Sequence, residues 1–241
     1  MKSDKIEFFR ESEDIFLRHL SVDCVIFGVF GQTLKVLALK WKDNWPWAIP
    51  GGFVRHNESL DAAAARAVLE RLGILSTTLV QVHAFGDPGR EVGKASLVVS
   101  EKPSWMDDRF VSVCYYGVVK PTNLELQVED MFEKAEWFEP DSLPALIFDH
   151  ASMVSAALAA LRDSLFQRPF GKGLLPPTFA LTDLQQLYET ILDKPLDTNR
   201  FQQWITAADL LRPAPEATGQ YRFNDAKYAA MFPETDKERE I

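Results

Sequence analysis

The residues with the clearest chemical potential lie between Gly52 and Ile74, in the stretch GFVRHNESLDAAAARAVLERLGI. Arg66 and Glu70 are four residues apart, so on a helix their charged ends meet as an ion pair. Arg71 follows directly, and its guanidinium can bind a ligand phosphate through two hydrogen bonds at once. We therefore take Glu70 and Arg71 as candidate ligand-binding residues. The alternative is that these side chains only hold the local fold together.

The spacing of this stretch resembles the Nudix box, in which a glycine, a glutamate and an Arg-Glu-U-x-Glu-Glu-x-Gly-U segment (U aliphatic) follow at fixed intervals. The matching residues are Gly52, Glu58, Arg66, Val68, Glu70, Gly73 and Ile74. The resemblance implies an α/β/α sandwich around a mixed sheet. In active members, three carboxylates on one face of the box helix hold Mg²⁺, which activates water at a diphosphate.

Two of the three metal-binding positions of the box are changed in this sequence. They are Ala67 and Arg71, and only Glu70 keeps its carboxylate. A guanidinium repels a divalent cation and can pair with the remaining carboxylate instead. We therefore expect no metal, no other cofactor and no ordinary Nudix hydrolysis. No catalytic role is then expected for the residual box, which consists of Gly52, Glu58, Arg66 and Glu70.

Two further arginines are candidates for holding a phosphate or sugar of the effector. Arg90 ends the segment Asp87-Pro88-Gly89-Arg90 after a predicted strand, and Arg109 precedes another. They are suggested by their similarity to segments that line the ligand site of ADP-ribose-type Nudix proteins. The alternative is that both are solvated loop residues. His150 is expected to cap the following helix or to fix its loop, with Asp149 as its hydrogen-bond partner.

These residues must be positioned by a β-rich domain. After a leading helix predicted over residues 4–19, the apolar patterns predict strands over residues 22–30, 34–39, 79–85, 96–100, 111–119 and 135–138. A hairpin turn at residues 31–33 joins the first two strands. Helices are predicted over residues 59–72, ended by Gly73, and over residues 153–166, where the domain closes.

A second unit is predicted after a linker over residues 169–173, which is rich in proline and glycine. Helices are predicted over residues 183–192, capped by Thr182, and from a cap at Asp197 or Thr198 to residue 207. With a short strand at residues 221–223, this is the outline of a winged helix-turn-helix. Its candidate DNA-binding residues are Asn199, Arg200, Gln202, Gln203 and Arg222. The alternative is that they are ordinary polar surface residues.

Nearly the whole chain resembles the Nudix-related transcriptional regulators of the NrtR and AraR type. The resemblance rests on the degraded box, on the segment LPALIFDH at residues 143–150, and on the tail. Matching tail residues are Leu174, Leu175, Pro176, Phe179, Leu181, Leu184, Gln185, Leu187, Tyr188, Glu189, Ile191, Lys194, Leu196, Asp197, Phe201 and Ile205.

This resemblance implies a Nudix-like effector-binding domain over residues 1–168 and a winged-helix DNA-binding domain over residues 174–233. Residues 234–241 are rich in charge and are expected to form a disordered tail. It also implies a homodimer, and an effector such as ADP-ribose, a sugar or a sugar phosphate. The second helix and the wing carry fewer cations than is usual in this family. We therefore expect weak DNA binding, or binding that is specific and depends on dimerisation.

The composition limits where the protein works and what it binds. The net charge of -9 opposes indiscriminate binding to nucleic acid or to an anionic membrane. No apolar run approaches the roughly 20 residues that a bilayer span needs, so we expect a cytoplasmic protein. Cys24 and Cys114 lie in apolar strands and are expected to be reduced core residues.

The sequence therefore predicts a ligand-responsive transcriptional regulator whose degenerate Nudix domain senses an effector and controls operator DNA binding. One alternative is a Nudix hydrolase of a nucleoside diphosphate derivative, which would use Glu58 and Glu70 with a metal ligand from elsewhere in the chain. Another is a nucleotide-sugar-binding adaptor whose helix-turn-helix has lost its affinity for DNA.

Overall fold

The computed structural model describes residues 14–42, 46–74, 77–90, 109–121, 131–167, 170–215 and 217–231. The chain divides into two compact units. One contains the described residues up to Gly28 and those from Lys35 to Ala160. The other contains Val29–Leu34 and the described residues from Leu161 onward. The box lies in the first unit, and the predicted helix-turn-helix lies in the second.

The first unit is organised around a mixed sheet. Its described strands are β1 (Phe16–Phe30), β2 (Thr33–Trp41), β3 (Trp47–Ala48), β4 (Gly51–Arg55), β5 (Val80–Phe85), β6 (Val111–Val119) and β7 (Phe132–Phe138). The main path is β3-β2-β1-β6-β5, with β4 also paired to β1 and β7 to β2. Strands β1 and β6 are parallel, while β4 is antiparallel to β1. This arrangement brings the start of the box beside the central strand.

The predicted leading helix is wrong where it can be compared with the structure. Residues 16–19 belong to β1, and only Asp14 and Ile15 are helical. Phe16 pairs with Arg55 on β4, and its ring packs on Phe53 at 5.7 Å between centroids. This tertiary pairing outweighs the local helical spacing. Residues 4–13 of the predicted helix and the predicted strand at residues 96–100 lie outside the described residues.

Helices cover opposite faces of the sheet. They are α1 (Leu60–Leu72) and α2 (His150–Ser164). Successive strand residues point to opposite faces. Cys24 on β1 contacts the Ala64 carbonyl of α1, whereas Cys114 on β6 lies 4.0 Å from the Met153 carbonyl of α2. The predicted α/β/α sandwich with a mixed sheet is therefore confirmed, and both cysteines are free and buried as predicted.

Helix α1 begins and ends as its sequence predicts. The Ser59 hydroxyl accepts a hydrogen bond from the Ala62 N–H at 3.2 Å, and Gly73 ends the helix with a φ of 70°. Helix α2 begins at His150 instead of Met153. Sequence periodicity located only its apolar part, whereas the polar His150 is also buried in the structure.

The second unit contains α3 (Leu181–Leu192), α4 (Thr198–Ala207), α5 (Asp225–Met231) and the strands β8 (Phe179–Ala180), β9 (Leu211–Pro213) and β10 (Gln220–Phe223). The strand order is β8-β10-β9. Tyr188 of α3 is fully buried and packs against Phe201 and Trp204 of α4. Two helices joined by a tight turn and followed by a β-hairpin form the predicted winged helix-turn-helix.

The helix caps of this unit differ from the prediction in one case. Thr182 does not cap α3. Instead, the Asp183 carboxylate reaches back and accepts a hydrogen bond from the Ala180 N–H at 2.9 Å. Between the two caps considered for α4, the structure selects Asp197, whose carboxylate accepts from the Arg200 N–H at 2.8 Å. Within the described part of the chain, no helix is long and apolar enough to cross a membrane.

Candidate functional site

Arg66 is the centre of the box. Its guanidinium donates to both carboxylate oxygens of Glu58, at 2.9 and 2.6 Å, and to the Phe53 carbonyl at 2.7 Å. Only 12% of the Glu58 side chain and 15% of the Arg66 side chain are exposed. Burial is the largest single influence on Glu58 and opposes its ionisation. The hydrogen bonds from Arg66 and from the Arg55 N–H, together with the charges of both arginines, outweigh it and lower the pKa of Glu58. Arg66 therefore fastens the start of α1 to β4.

Glu70 forms the predicted i,i+4 pair with Arg66 and a second pair with Arg55. The Arg66 Nη1 lies 2.8 Å from Glu70 Oε2, and the Arg55 Nη2 lies 3.1 Å from Glu70 Oε1. Arg55 lies three residues before Glu58, and its backbone N–H donates to the Glu58 carboxylate at 2.7 Å. Both carboxylates of the residual box are thus held by arginines of the same box.

The residues at the box do not fit a magnesium ion. A divalent cation of this kind needs carboxylate oxygens that can turn toward it, whereas the oxygens of Glu58 and Glu70 already accept hydrogen bonds from arginine. Ala67 offers a buried methyl group, and Arg71 adds a positive charge. Among the residues that the structure describes, no group of three or more metal-ligating side chains lies close enough together to hold a metal ion.

Arg71 lies between the strand that opens the box and the start of β7. Its Nε donates to the Gly51 carbonyl at 3.2 Å, and its Nη1 lies 3.5 Å from the Met131 sulfur. The guanidinium sits over the Phe132 ring at 5.8 Å from the centroid. Burial lowers the pKa of Arg71. The group is therefore a partly buried cation on an aromatic platform, a setting in which an anionic ligand gains from reduced solvent screening.

Arg90 lies inside the fold, with 4% of its side chain exposed. Its Nε donates to Asp149 at 2.7 Å, Nη1 donates to the Phe110 carbonyl at 3.3 Å, and Nη2 lies 3.5 Å from Asp23. The Ser112 hydroxyl also donates to Asp23. These side chains come from β1, from β6, from the segment that follows β5 and from the start of α2. Together they form one polar cluster.

His150 completes this cluster, which we call the buried polar cluster (Asp23, Arg90, Ser112, Asp149 and His150). Its Nδ1 accepts a hydrogen bond from the Ile49 N–H at 3.2 Å, so Nε2 carries the proton of the neutral ring, 3.7 Å from Asp23. Burial lowers the pKa of His150. The expected Asp149 partner is replaced, because the Asp149 carboxylate binds Arg90.

The structure does not bring the four predicted effector-binding residues together at one place. Arg71 and Glu70 lie on α1, and Arg90 lies in the buried polar cluster. Arg109 is exposed directly before Phe110. The neighbouring Asp107 and Asp108 lie outside the described residues.

The candidate DNA-binding residues of the second unit are exposed. Phe201 and Ile205 turn one side of α4 into the core, while Asn199, Arg200, Gln202 and Gln203 are open to solvent. Arg222 on β10 is also exposed. The four polar side chains therefore line the outer side of the second helix of the helix-turn-helix.

Sequence reasoning missed a second arginine of the wing. Arg212 on β9 pairs in register with Arg222 on β10, so both side chains leave the same face of the hairpin. The Leu-Arg-Pro run of β9 is too short to show strand alternation. A pairing with Arg222 depends on hairpin register, which the loop sequence does not reveal.

This fold and this arrangement agree with the comparisons with known proteins. Residues 17–157 match the family model of the NUDIX domain, and residues 171–228 match that of the NrtR DNA-binding winged helix domain. The chain belongs to the NUDIX domain family. Within that family it carries a winged helix domain of the NrtR type after its NUDIX domain.

Three relatives illustrate the likeness. The chain is 29% identical to the ADPR responsive transcriptional repressor NtrR of Acinetobacter baylyi, over 89% of this chain and 85% of that protein. It is 25% identical to the ADP-ribose pyrophosphatase of Methanocaldococcus jannaschii, over 53% of this chain and 68% of the other. The Shewanella oneidensis NrtR structure with a 27mer DNA has the same fold, with a TM-score of 0.67, 22% identity and coverage of 88% of this chain and 96% of that chain.

Proposed function

We propose that this protein is an effector-responsive transcriptional regulator. Its NUDIX domain binds the effector, and its winged helix domain binds operator DNA. The observation that carries this proposal is the likeness to the Acinetobacter baylyi repressor, which extends over 89% of the chain and so covers both domains. The domain boundaries that we propose are residues 1–168 and 174–233, with a linker at residues 169–173 and a tail at residues 234–241.

ADP-ribose is the effector that we favour among the sugars and sugar phosphates considered. Both curated relatives act on or respond to it, according to their names. Arg71 and the exposed Arg109 are suited to contact its diphosphate directly. Glu70 lies beside Arg71 and can accept hydrogen bonds from ribose hydroxyls if Arg55 turns away. Arg90 contributes by positioning, since its donors are engaged inside the fold.

DNA is bound by α4 and the wing in this proposal. Asn199, Gln202 and Gln203 have the amide groups that read adenine, and Arg200 has the guanidinium that reads guanine. Two such domains in a homodimer would bind two half-sites of an operator. A regulator works where the genome is, so we propose a cytoplasmic location.

A fluorescence anisotropy titration tests this function. The probe is a labelled duplex from the DNA upstream of the protein's gene, with a scrambled duplex for comparison. We expect stronger binding to the first duplex than to the scrambled one, release on addition of ADP-ribose, and no response to ribose 5-phosphate at the same concentration. Absence of binding at low salt would overturn the proposal.

Two matched variants locate the DNA-binding face. Gln203 on α4 and Gln186 on α3 are both exposed glutamines. Gln203→Ala should weaken binding to the upstream duplex about tenfold, the cost of losing one base contact of about 1–3 kcal/mol. Gln186→Ala should bind as the wild type does. Equal effects of the two substitutions would remove α4 from the interface.

Hydrolysis is the second candidate function, because one relative is a pyrophosphatase. We propose that this activity is lost, since Ala67 and Arg71 occupy metal positions and Glu58 and Glu70 are paired with arginines. Incubation with ADP-ribose and Mg²⁺ should release no AMP above the level without protein. Magnesium-dependent release of AMP would restore the hydrolase hypothesis.

The direct role of Arg71 has its own test. Arg71→Glu places a negative charge where we expect a phosphate, so ADP-ribose affinity, measured by calorimetry, should fall at least about tenfold. Lys194→Glu, which reverses an exposed charge in the turn between α3 and α4 of the other unit, serves as the control and should leave ADP-ribose affinity unchanged. Unchanged affinity in Arg71→Glu would exclude this residue from the effector site.

A further inference from the structure

We propose that the Asp209 carboxylate competes with the DNA backbone for Arg212. It binds the Arg212 guanidinium until a DNA phosphate replaces it. Both residues lie in the second unit, Asp209 between α4 and the wing and Arg212 on β9 of the wing. This inference rests on the proposed function, since it describes how the winged helix meets DNA. The Asp209–Arg212 contact limits DNA binding, whereas the residues proposed above contribute to DNA binding.

The wing presents two arginines on its outer face. Arg212 on β9 and Arg222 on β10 are opposite each other in the antiparallel pair, as are Leu211 and Phe223 one position further on. Phe223 packs on Phe179 at 4.9 Å between ring centroids, on the core side. Because alternate residues of a strand point to opposite faces, the arginines point away from the core, and both are exposed.

Two like charges opposite each other in a hairpin repel, and a nearby anion relieves the repulsion. Asp209 supplies such an anion to Arg212. The Arg212 Nη2 donates to Asp209 Oδ2 at 3.0 Å, and Nη1 donates to Oδ1, so the carboxylate receives the planar fork of the guanidinium. The hydrogen bonds from Arg212 lower the pKa of Asp209, which keeps the carboxylate ionised.

The backbone holds Asp209 in place. Its φ is 56°, its N–H donates to the Thr206 carbonyl at 3.1 Å at the end of α4, and its own carbonyl accepts from the Asn224 side chain at 3.0 Å. The carboxylate is therefore fixed at the junction of α4 and the wing. A DNA phosphate that makes the same two-point contact with the Arg212 guanidinium must displace it.

A phosphate diester offers the same fork of two anionic oxygens that Asp209 offers. Exchange of one for the other gains little, because Arg212 is already neutralised, and the displaced carboxylate then repels the nearby phosphates. In the wild-type protein, Arg212 therefore contributes little to DNA affinity. Removal of the Asp209 charge should release a full phosphate contact.

The test is a double-mutant cycle of Asp209→Asn and Arg212→Ala, measured with labelled 27-base-pair upstream and scrambled duplexes, the length in the Shewanella oneidensis complex. Asparagine tolerates a positive φ well, so the first substitution removes the charge and keeps the backbone. Asp209→Gly provides a second variant that accepts the same φ. Asp163→Asn, an exposed aspartate on α2, controls for the change in net charge.

Asp209→Asn should tighten binding to both duplexes by about threefold to tenfold at low salt, and should steepen the plot of log affinity against log salt by about 0.9, the value for one added phosphate contact. Arg212→Ala should change wild-type affinity little. In the double variant the gain should disappear. Asp163→Asn should bind as the wild type does.

Two results would overturn the inference and leave the proposed function standing: no gain in Asp209→Asn and Asp209→Gly, or an equal gain when Arg212 is absent. The second result would mean that the carboxylate only repels DNA at a distance. Failure of every variant, the wild type included, to bind DNA while all unfold cooperatively would instead overturn the proposed function itself.

Discussion

Arg66 shows how a motif can keep its geometry after its metal positions have changed. One guanidinium satisfies Glu58, Glu70 and the Phe53 carbonyl. Arg66 belongs to the box pattern itself, and of its two carboxylate partners only Glu70 stands at a metal-binding position. The ion pairs that hold this turn are therefore formed by residues of the chain alone. The turn before α1 therefore keeps its shape without an ion.

Removal of Arg66 should be costly. Arg66→Ala leaves the partly buried Glu58 carboxylate without its partner, and we expect a loss of about 3 kcal/mol in the free energy of unfolding. Chemical denaturation measures the loss. Arg55→Ala is the matched control, because Arg55 is 42% exposed and pairs with Glu70 only at the surface; its cost should be about 0.5 kcal/mol. Similar losses for both would contradict the role assigned to Arg66.

His150 makes stability depend on pH. Burial lowers its pKa below the ordinary value, so below pH about 6.5 the unfolded chain takes up a proton that the folded chain does not. Stability should therefore be complete above that pH and should decline as the pH falls toward the folded-state pKa. Protonation of Nδ1 would also break the hydrogen bond from Ile49.

Denaturation at a series of pH values between about 7.5 and 5.5 checks this prediction. His150→Asn keeps an acceptor near the Ile49 N–H and does not titrate, so it should flatten the decline. His56→Asn, at an exposed histidine, should keep the wild-type decline. A wild-type pH dependence in His150→Asn would assign the effect to other groups.

The ends of α1 decide where the box helix is placed. Ser59 binds the first turn, and Gly73 turns the chain away with a φ of 70° that side chains other than glycine rarely adopt. The end at Gly73 was predicted because this kind of helix end depends on local sequence, whereas Ser59 was predicted as the first helical residue and is the cap before it. Local sequence also predicted the apolar runs of β1 and β2, which are buried along most of their length.

Gly73→Ala should cost about 1 kcal/mol in the free energy of unfolding, since a Cβ is disfavoured in the left-handed region. Thermal or chemical unfolding measures this cost. Gly89→Ala is the control, because a Cβ there meets nothing within 4 Å and its φ is not in that region. A neutral effect at Gly73 would mean that the end of α1 adapts.

Other features could not be predicted because they depend on contacts between distant segments. Arg90 looks like a loop cation in the sequence, yet it meets Asp23 and Asp149, which are 67 and 59 residues away. Arg212 meets Arg222 only through hairpin register. Phe16 joined a strand because β4 was available to pair with it. Burial and register are properties of the assembled sheet, and a single sequence carries no direct record of them.

At the scale of the molecule, the proposed function links two binding reactions in one chain. If ADP-ribose weakens operator binding by a certain factor, operator DNA must weaken ADP-ribose binding by the same factor. Effects of this kind usually lie between about fivefold and 150-fold. The net charge of -9 adds a general repulsion of DNA, so the factor should be compared at one salt concentration.

Two titrations test this equality: DNA affinity with and without saturating ADP-ribose, and ADP-ribose affinity with and without saturating duplex. We expect the same ratio from both. The scrambled duplex should leave ADP-ribose affinity unchanged. A ratio of one in both titrations would contradict the coupling, whereas unequal ratios would show that one of the titrations had not reached equilibrium.

The two cysteines lie on opposite faces of the central sheet, so their alkylation can report when each face of the first unit opens. Burial raises the pKa of Cys114 to about 12 and raises that of Cys24 well above its usual value, so neither thiol is a nucleophile in the closed fold. Cys24 can react with an alkylating reagent only when α1 lifts, and Cys114 only when α2 does. Mass spectrometry of the two labelled peptides would therefore time the departure of each helix separately, in an unmodified chain.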